Sequence, residues 1–293
     1  MRYADMNLAL LNKANIEPSS KTTRFYDYLL KNSVAYYFSE QVSTYPTAVE
    51  TKIIERGDQV NEKYHKTLEL LRQTFSAAKI DFALFKTHRH ISEVYDGDID
   101  IVVRKTDFDK AMSALAAEGF DCETEAEFKG VCIKQGYCKI EPRSVVSFHG
   151  YKVFDEKEIW DSVVEVNSGI GPVKSTSMEF DTVCLLLNVL YGPKYVSLYL
   201  YLLLMNCDPD KIKILIPSRD LGSLADQLKS EKTAEGKFPI FLSFSTYFQW
   251  YVNYLLPAGD MGVSKKIRHL LFFVYSKLKY QVFGKLHFQH NWL

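Results

Sequence analysis

Two aspartates stand two residues apart at the start of an apolar segment, Asp98-Ile99-Asp100-Ile101-Val102-Val103. Because residues two apart in a β-strand point to the same side, Asp98 and Asp100 are predicted to project together while the apolar residues pack on the other side. Two neighbouring carboxylates repel each other unless a cation lies between them. Carboxylates on a rigid strand are typical ligands of Mg²⁺ or Mn²⁺, completed by substrate phosphates. The pair therefore indicates phosphoryl or nucleotidyl transfer.

A third carboxylate, Glu141, ends a predicted hairpin further along the chain. Two strand-like segments, Val131-Cys132-Ile133-Lys134 and Tyr137-Cys138-Lys139-Ile140-Glu141, flank Gln135-Gly136, and the glycine supplies the positive φ of a tight turn. If the second strand neighbours the aspartate strand, Glu141 completes a cluster of three carboxylates. Such a cluster can hold two metal ions that contact the attacking and leaving oxygens of an in-line displacement.

The Asp-x-Asp pair taken alone also fits a solvated strand edge, since Asp-Gly is common in turns. Three features favour the functional interpretation: the β-branched strand that follows, the strand Phe82-Ala83-Leu84-Phe85-Lys86 that ends on a cation upstream, and Glu141 downstream.

The order of these features is itself informative. An apolar strand ending in Lys and a small residue precedes a loop with a tyrosine, then Asp-apolar-Asp-apolar, a helix with a Gly-aromatic ending, and a third acidic strand. These are Leu84-Phe85-Lys86-Thr87, Tyr95, Asp98-Ile99-Asp100-Ile101, Thr106 to Gly119-Phe120, and Lys139-Ile140-Glu141. The segment from Lys79 to about Trp160 thereby resembles the nucleotidyltransferase superfamily (polymerase-β-like fold), and within it the uncharacterised prokaryotic nucleotidyltransferase-like proteins.

The resemblance implies transfer of a nucleoside monophosphate from an NTP, with ATP expected, and release of pyrophosphate. By the same resemblance Asp98, Asp100 and Glu141 are expected to be catalytic and to bind Mg²⁺ or Mn²⁺, and Glu141 to help deprotonate the acceptor hydroxyl. The acceptor stays open between a protein hydroxyl, a nucleic-acid end and a small molecule.

The segment after the first strand departs from the family pattern. Active members typically carry Gly-Ser or Gly-Gly there, where backbone amides approach the triphosphate, whereas this chain has Lys86-Thr87-His88-Arg89-His90. We expect Lys86, Thr87 and Arg89 to bind the nucleotide, with the two cations neutralising its phosphates. The alternative is a catalytically inactive protein of this fold that binds nucleic acid or a protein partner. A third interpretation is a glycosyltransferase that uses the Asp-x-Asp pair for Mn²⁺.

The flanking regions are predicted to be mainly helical, which gives an α/β (α+β) fold class with three parts. Residues 1–78 form an N-terminal helical region, residues 79–165 a nucleotidyltransferase-like domain with a small mixed sheet, and residues 166–293 a helical C-terminal domain. The helical spacing is carried by Phe25, Tyr28, Leu29 and Tyr36, by Tyr64, Leu68, Leu71, Phe75 and Ala78, by Phe108, Ala111, Met112 and Leu115, by Val183, Leu186, Leu187 and Leu190, and by Leu198, Leu202 and Met205.

Several local signals mark where these elements begin and end. Thr106 with Asp109 is predicted to cap one helix, and Gly119 to end it. Ile170-Gly171-Pro172 interrupts the pattern, and Thr176 to Glu179 resembles a capping box that opens the next helix.

Composition narrows the class of protein further. The chain has 293 residues, 47% of them hydrophobic, and 36 basic residues balance 36 acidic ones, so no global basic field indicates nucleic acid. No Walker loop, Gly-x-Gly-x-x-Gly or Cys-x-x-Cys motif occurs, and the cysteines are predicted to be buried thiols, with Cys132 and Cys138 close to each other. No signal pattern or membrane span is predicted, so a soluble cytoplasmic protein is expected. The sequence leaves its oligomeric state open.

The last segment of the chain differs from the rest in charge. Between Met261 and Leu293 no Asp or Glu occurs, and the cations are Lys265, Lys266, Arg268, Lys277, Lys279 and Lys285. Cations interleaved with aromatics can hold a nucleic-acid backbone or lie on an anionic membrane, and a basic helix end explains them equally well.

Overall fold

The structure, a computed structural model, describes residues 48–86, 98–126, 128–148, 151–168, 170–191 and 198–215, with a few single positions further on. The predicted helix around residues 25–36, the nucleotide-binding candidates Thr87 and Arg89, and the basic C-terminal cations all lie outside these ranges. The chain divides into two compact units, Ala35–Asp181 and Met1–Val34 with Thr182–Leu293. The predicted three-part division stays a prediction.

The unit Ala35–Asp181 combines helices with strands. Its elements in chain order are α1 (Ala48–Ala77), β1 (Phe82–Leu84), β2 (Asp98–Val103), α2 (Phe108–Ala117), β3 (Asp121–Ala126), β4 (Lys129–Ile133), β5 (Lys139–Arg143), β6 (Val146–Phe148), β7 (Tyr151–Phe154), α3 (Glu156–Asp161), β8 (Val163–Asn167), β9 (Pro172–Thr176) and the start of α4 (Met178–Tyr191). Seven strands form one mixed sheet in the order β3-β4-β5-β2-β1-β9-β8, and β6 pairs with β7 separately. The predicted α/β fold class is confirmed.

The core of this unit lies between α1, α2 and one face of the sheet. Tyr64, Leu68, Leu71 and Phe75, at helical spacing on α1, are fully buried together with the isoleucines of β2 and β5. The periodicity therefore identified the face of α1 that packs on the sheet. The close packing extends to Gly130 on β4, where a Cβ atom would collide with the sulfur of Met112 on α2.

The end of α1 leads directly into β1 through a residue in the left-handed region. Lys79 has φ +51°, and the amide of Ile80 donates to the carbonyl of Phe75 at 2.8 Å. This bond and the left-handed residue form a Schellman-type helix end. The chain then enters β1, an inner strand of the sheet.

Two predicted helix starts differ from the structure, whereas the predicted break between them is present as a turn. Thr106 does not cap α2, because a short 3₁₀ turn, Lys105–Asp107, precedes the helix. The break at Ile170-Gly171-Pro172 is the turn of a β8–β9 hairpin, in which Ser168 donates its amide to Gly171 at 3.1 Å. Ser177, rather than Thr176, accepts the amide of Phe180 at the start of α4.

The predicted β4–β5 hairpin is present, with Gly136 at φ +82° in its turn. Its cysteines are arranged differently from the prediction. Cys122 on β3 and Cys132 on β4 lie opposite each other and form a disulfide, with 4.1 Å between their Cα atoms. Cys138 is a buried free thiol, as are Cys184 and Cys207.

The described part of the other unit is helical. It contains α4 from Thr182 onward, α5 (Leu198–Asn206) and α6 (Pro209–Leu215), with buried leucines along α5. Thr182 and Cys207 are 3.2 Å apart through their hydroxyl and thiol groups. Among the helices described, none combines the length and apolarity that crossing a membrane requires.

Candidate active site

The acidic cluster is built by the parallel pairing of β2 and β5. Asp98 lies opposite Lys139 and Asp100 opposite Glu141, with Arg143 two residues further along β5. Registered residues of neighbouring strands point to the same side, so all five side chains share one face of the sheet. The structure thus brings the three predicted carboxylates together.

The opposite side of the same strands explains why this register is kept. Ile99 and Ile101 on β2 and Ile140 on β5 alternate with the charged residues and are fully buried in the core. Because one face is apolar and the other charged, the alternation fixes which side chains reach the site.

Two cations of β5 lie between the carboxylates. The Nη2 group of Arg143 donates to Asp100 Oδ1 and to Glu141 Oε2, the latter at 3.0 Å. Lys139 Nζ donates to Glu141 Oε1 and lies 3.3 Å from Asp98 Oδ2. Glu141 therefore shares one cation with each aspartate: Arg143 with Asp100, and Lys139 with Asp98.

Two further lysines approach the cluster from the neighbouring strands. Lys86 Nζ, just after β1, lies 3.9 Å from Asp100 Oδ2. Lys129 Nζ on β4 lies 3.8 Å from Glu141 Oε2 and also contacts Glu125. The cluster is therefore surrounded by positive charge.

Lys86 has a backbone conformation that is uncommon for a residue with a side chain. Its φ is +56°, in the left-handed region that glycine adopts without strain. Its amide donates to Asp181 Oδ1 at 3.2 Å, and this buried carboxylate also accepts the hydroxyl of Thr176. The start of α4 and the end of β9 thereby hold the chain that enters the site.

Arg143 is much more enclosed than Lys139. The Arg143 side chain is 11% exposed, whereas that of Lys139 is 36% exposed. The Arg143 guanidinium carbon lies 5.1 Å from the centre of the buried Phe85 ring, and Lys86 Nζ lies 4.6 Å from the same ring. Phe85 in turn packs on Phe180, with 6.3 Å between ring centres.

The electrostatics of the site favour ionised side chains. Burial acts to raise the pKa of Asp100, but the Arg143 guanidinium and then the Lys86 ammonium overcome it, and the pKa lies below its ordinary value. Partial burial acts to lower the pKa of Lys139, but Glu141 and Asp98 more than reverse this, and its pKa is raised. Both groups are therefore charged at neutral pH.

Carboxylates are the ligands that hard divalent cations prefer, but in this cluster Lys139 and Arg143 lie between them. Within the described ranges, no group of three or more His, Cys, Asp and Glu side chains is placed to hold one metal ion together. The Lys139 ammonium and the Arg143 guanidinium instead stand in for cations, each between two carboxylates. Oxygens of two carboxylates therefore already converge on each of these two cations.

Of the predicted nucleotide-binding residues, Lys86 lies beside Asp100. Sequence reasoning missed Lys139 and Arg143. The alternation that selected Glu141 also places both of them on its face, but the predicted strand ended at Glu141 and so did not include Arg143.

No protein-family model matches the chain, and no curated protein matches it. Two solved structures resemble it in part. The crystal structure of the lincosamide antibiotic adenylyltransferase LnuA, bound to lincomycin, is 16% identical, covers 40% of this chain and 82% of its own, and has a TM-score of 0.32. The solution structure of the antibiotic-resistance factor ANT(2'')-Ia is 9% identical, covers 65% of this chain and 92% of its own, and has a TM-score of 0.36.

Both likenesses are partial and lie at low sequence identity. TM-scores of 0.32 and 0.36 carry no argument about the fold or the activity of this chain.

Proposed function

We propose that the chain is a metal-dependent nucleotidyltransferase. It moves a nucleoside monophosphate from an NTP to an acceptor hydroxyl, and the proposed NTP is ATP. The observation that supports this most is the convergence of Asp98, Asp100 and Glu141 on one face of two registered parallel strands. Three acids at such a position are costly to assemble without a cation. Their clustering therefore fits a site that binds charged ligands.

Each group has a defined role in this proposal. The three carboxylates would hold Mg²⁺ or Mn²⁺, which when bound neutralises charge on the phosphates and the reacting oxygens. Glu141 would take the proton of the acceptor hydroxyl. The acceptor oxygen forms a bond to the α-phosphorus as the bond to the bridging oxygen breaks, and pyrophosphate leaves.

The cations around the site would bind the triphosphate. Lys86 lies at the edge of the acidic cluster, where it can contact a phosphate while remaining near Asp100. Thr87 and Arg89 follow it directly in the chain and are proposed to extend this binding. The acceptor is proposed to be one of three kinds: a protein hydroxyl, the end of a nucleic acid or a small molecule.

A second function is favoured by a specific observation. Every carboxylate of the cluster already has a positively charged neighbour: Lys139 for Asp98, Arg143 for Asp100 and both for Glu141. A site balanced in this way is stable without a metal, as expected of a catalytically inactive protein of this fold that binds a nucleic acid or a protein partner.

Transfer of label from ATP labelled at its α-phosphate distinguishes these functions. In the proposed enzyme, label reaches an acceptor or the protein itself only with Mg²⁺ or Mn²⁺, and Asp100→Asn abolishes the transfer. Asp81→Asn is the matched control, because Asp81 pairs with Lys174 at 2.7 Å at an exposed position outside the cluster. Label transfer that survives in Asp100→Asn, or no transfer to a broad acceptor panel from any NTP, would overturn the proposal.

A further inference from the structure

We propose that Asp181 is a positioning residue for Lys86. By accepting the amide of Lys86, it holds that residue in a left-handed backbone conformation, and this conformation places the Lys86 ammonium at the acidic cluster. The inference rests on the proposed function, in which Lys86 binds the triphosphate. It gives a role to a buried carboxylate that lies outside the cluster of β2 and β5.

The side of the sheet on which Lys86 lies is unexpected for a residue at the end of β1. The side chain of Leu84 belongs to the core between α1, α2 and the sheet. Phe85 points to the other side, where its ring lies 5.1 Å from the guanidinium carbon of Arg143. The Phe85 amide still donates to the carbonyl of Asp100 at 2.9 Å, so the strand pairing continues. If the alternation also continued, Lys86 would point to the core side with Leu84.

The backbone of Lys86 interrupts this alternation. Its φ of +56° lies outside the range of an extended strand. Its Nζ lies on the same side as the Phe85 ring, 4.6 Å from the ring centre and 3.9 Å from Asp100 Oδ2. A left-handed conformation is unfavourable for a residue with a Cβ atom and persists where the surrounding structure holds it. The position of the ammonium therefore depends on the contacts that hold this backbone.

Asp181 provides such a contact from the first turn of α4. Its Oδ1 accepts the amide of Lys86 at 3.2 Å and the hydroxyl of Thr176. The same hydroxyl lies 3.3 Å from the carbonyl of Leu84, so β9 and α4 together contact the end of β1. Asp181 is 1% exposed, and a hydrogen bond to an ionised acceptor is roughly twice as strong as a neutral one. The carboxylate is therefore suited to fix the Lys86 amide.

Two substitutions of Asp181 separate this hydrogen bond from the rest of the packing. Asp181→Ala removes the acceptor of the Lys86 amide. Asp181→Asn keeps a carbonyl oxygen where Oδ1 accepts both of its hydrogen bonds, because both go to the same atom. Asp155→Ala is the matched control, since Asp155 also accepts a backbone amide, that of Glu158 at 2.9 Å, at the start of α3.

Limited acetylation of the folded full-length protein, followed by mass spectrometry of its peptides, measures how accessible each lysine amine is. The Lys86 side chain is 15% exposed in the wild type. In Asp181→Ala it should react at least about threefold faster, because loss of one hydrogen bond increases local opening by about that factor. Lys129 and Lys139 should keep their wild-type rates, and Asp181→Asn and Asp155→Ala should leave Lys86 unchanged.

Several results would overturn the assignment. These are an unchanged Lys86 rate in folded Asp181→Ala, an equal rise at Lys86, Lys129 and Lys139, or a comparable rise at Lys86 in Asp181→Asn or in the control. If Asp181→Ala does not fold, hydrogen exchange at the Lys86 amide of the wild type decides the question. Slow exchange is expected, and exchange at the rate of an unprotected amide would contradict the hydrogen bond to Asp181.

Calorimetric titration with ATP and Mg²⁺ connects this position to nucleotide binding. Asp181→Ala should weaken ATP binding about three- to tenfold, and Lys86→Met at least as much. The double variant should bind no more weakly than Lys86→Met, because Asp181 acts through Lys86. Additive losses would overturn the inference and leave the proposed function intact. Absence of ATP binding by the wild type would count against the proposed function, while the acetylation rates would still decide whether Asp181 positions Lys86.

Discussion

Replacement of Arg143 by Met removes the cation that two carboxylates share and should destabilise the protein strongly. At an effective dielectric constant of about 20, a charge pair about 3 Å apart attracts by roughly 5 kcal/mol before desolvation is counted. Breaking a buried pair typically costs about 3–5 kcal/mol, because the remaining charge is left uncompensated. Lys86 stays near Asp100 and Lys139 near Glu141, so we expect a loss close to the lower end, about 3 kcal/mol at pH 7.

The loss should depend on pH in a defined direction. The folded pKa of Asp100 lies below its ordinary value, chiefly because the Arg143 guanidinium outweighs the opposing effect of burial. A lowered folded pKa stabilises the protein fully above the unfolded pKa, about 3.9, and this stabilisation disappears as the pH falls through the folded pKa. The difference between wild type and Arg143→Met should therefore shrink below about pH 4.

Urea denaturation followed by far-ultraviolet circular dichroism, at pH 7 and at about pH 3.5, measures both effects. Arg104→Met is the matched control, because Arg104 also pairs with a carboxylate, Glu156 at 3.5 Å, and stacks on Trp160 at 4.1 Å, but is 43% exposed. Its loss should be about 1 kcal/mol or less. The reasoning is refuted if Arg143→Met loses no more than this control at pH 7, or loses the same amount at both pH values.

Three further results are expected. ATP with Mg²⁺ should raise the melting temperature of the wild type but not of a variant with Asp98→Asn and Asp100→Asn, measured by thermal denaturation; an equal rise in both would place the nucleotide elsewhere. Lys79→Gly should stabilise the protein by roughly 0.5–1 kcal/mol in urea, since φ +51° carries no steric cost for glycine, and a loss of stability would contradict the Schellman-type helix end. Reduction of the Cys122–Cys132 disulfide, which links residues separated by 10 positions, should cost about 2–3 kcal/mol, whereas a variant with both cysteines changed to serine should be insensitive to reductant.

Strand alternation in the sequence was sufficient to predict the side of each strand on which the carboxylates lie, because it depends only on local geometry. Asp98 and Asp100 project from β2 beside Glu141 of β5, and the apolar residues between them enter the core. Their roles in catalysis and metal binding stay predictions. The sequence could not show which strands would be neighbours, since pairing depends on contacts between distant segments of the chain.

Arg143 illustrates a limit of the same reasoning. The predicted strand ended at Glu141, and the next residue, Pro142, cannot donate a hydrogen bond to a neighbouring strand. In the structure β5 continues through Pro142, which is buried opposite Ile101, and Arg143 reaches the acidic cluster. Packing against the core therefore outweighs the missing donor at this position.

The β8–β9 hairpin was missed for a different reason. A glycine next to a proline, as in Gly171-Pro172, is typical of a loop, and the short strands around it show no strict alternation. Their position in the sheet comes from β9, which pairs in parallel with β1 through Leu84 and Ser175. Only the tertiary pairing with β1 makes this segment part of the sheet.

One side of β5 faces the core and the other faces the acidic cluster, so this strand cannot gain or lose a single residue without exchanging its two sides. Insertion of one codon within residues 139–143 would turn Lys139, Glu141 or Arg143 into the core and bring Ile140 out, because each step along a strand reverses the side. The tip of the turn at Gly136 is under no such constraint, since a Cβ atom there would meet nothing within 4 Å. Natural length variation near this site is therefore expected in the turn, and insertion scanning should find the strand intolerant at every position.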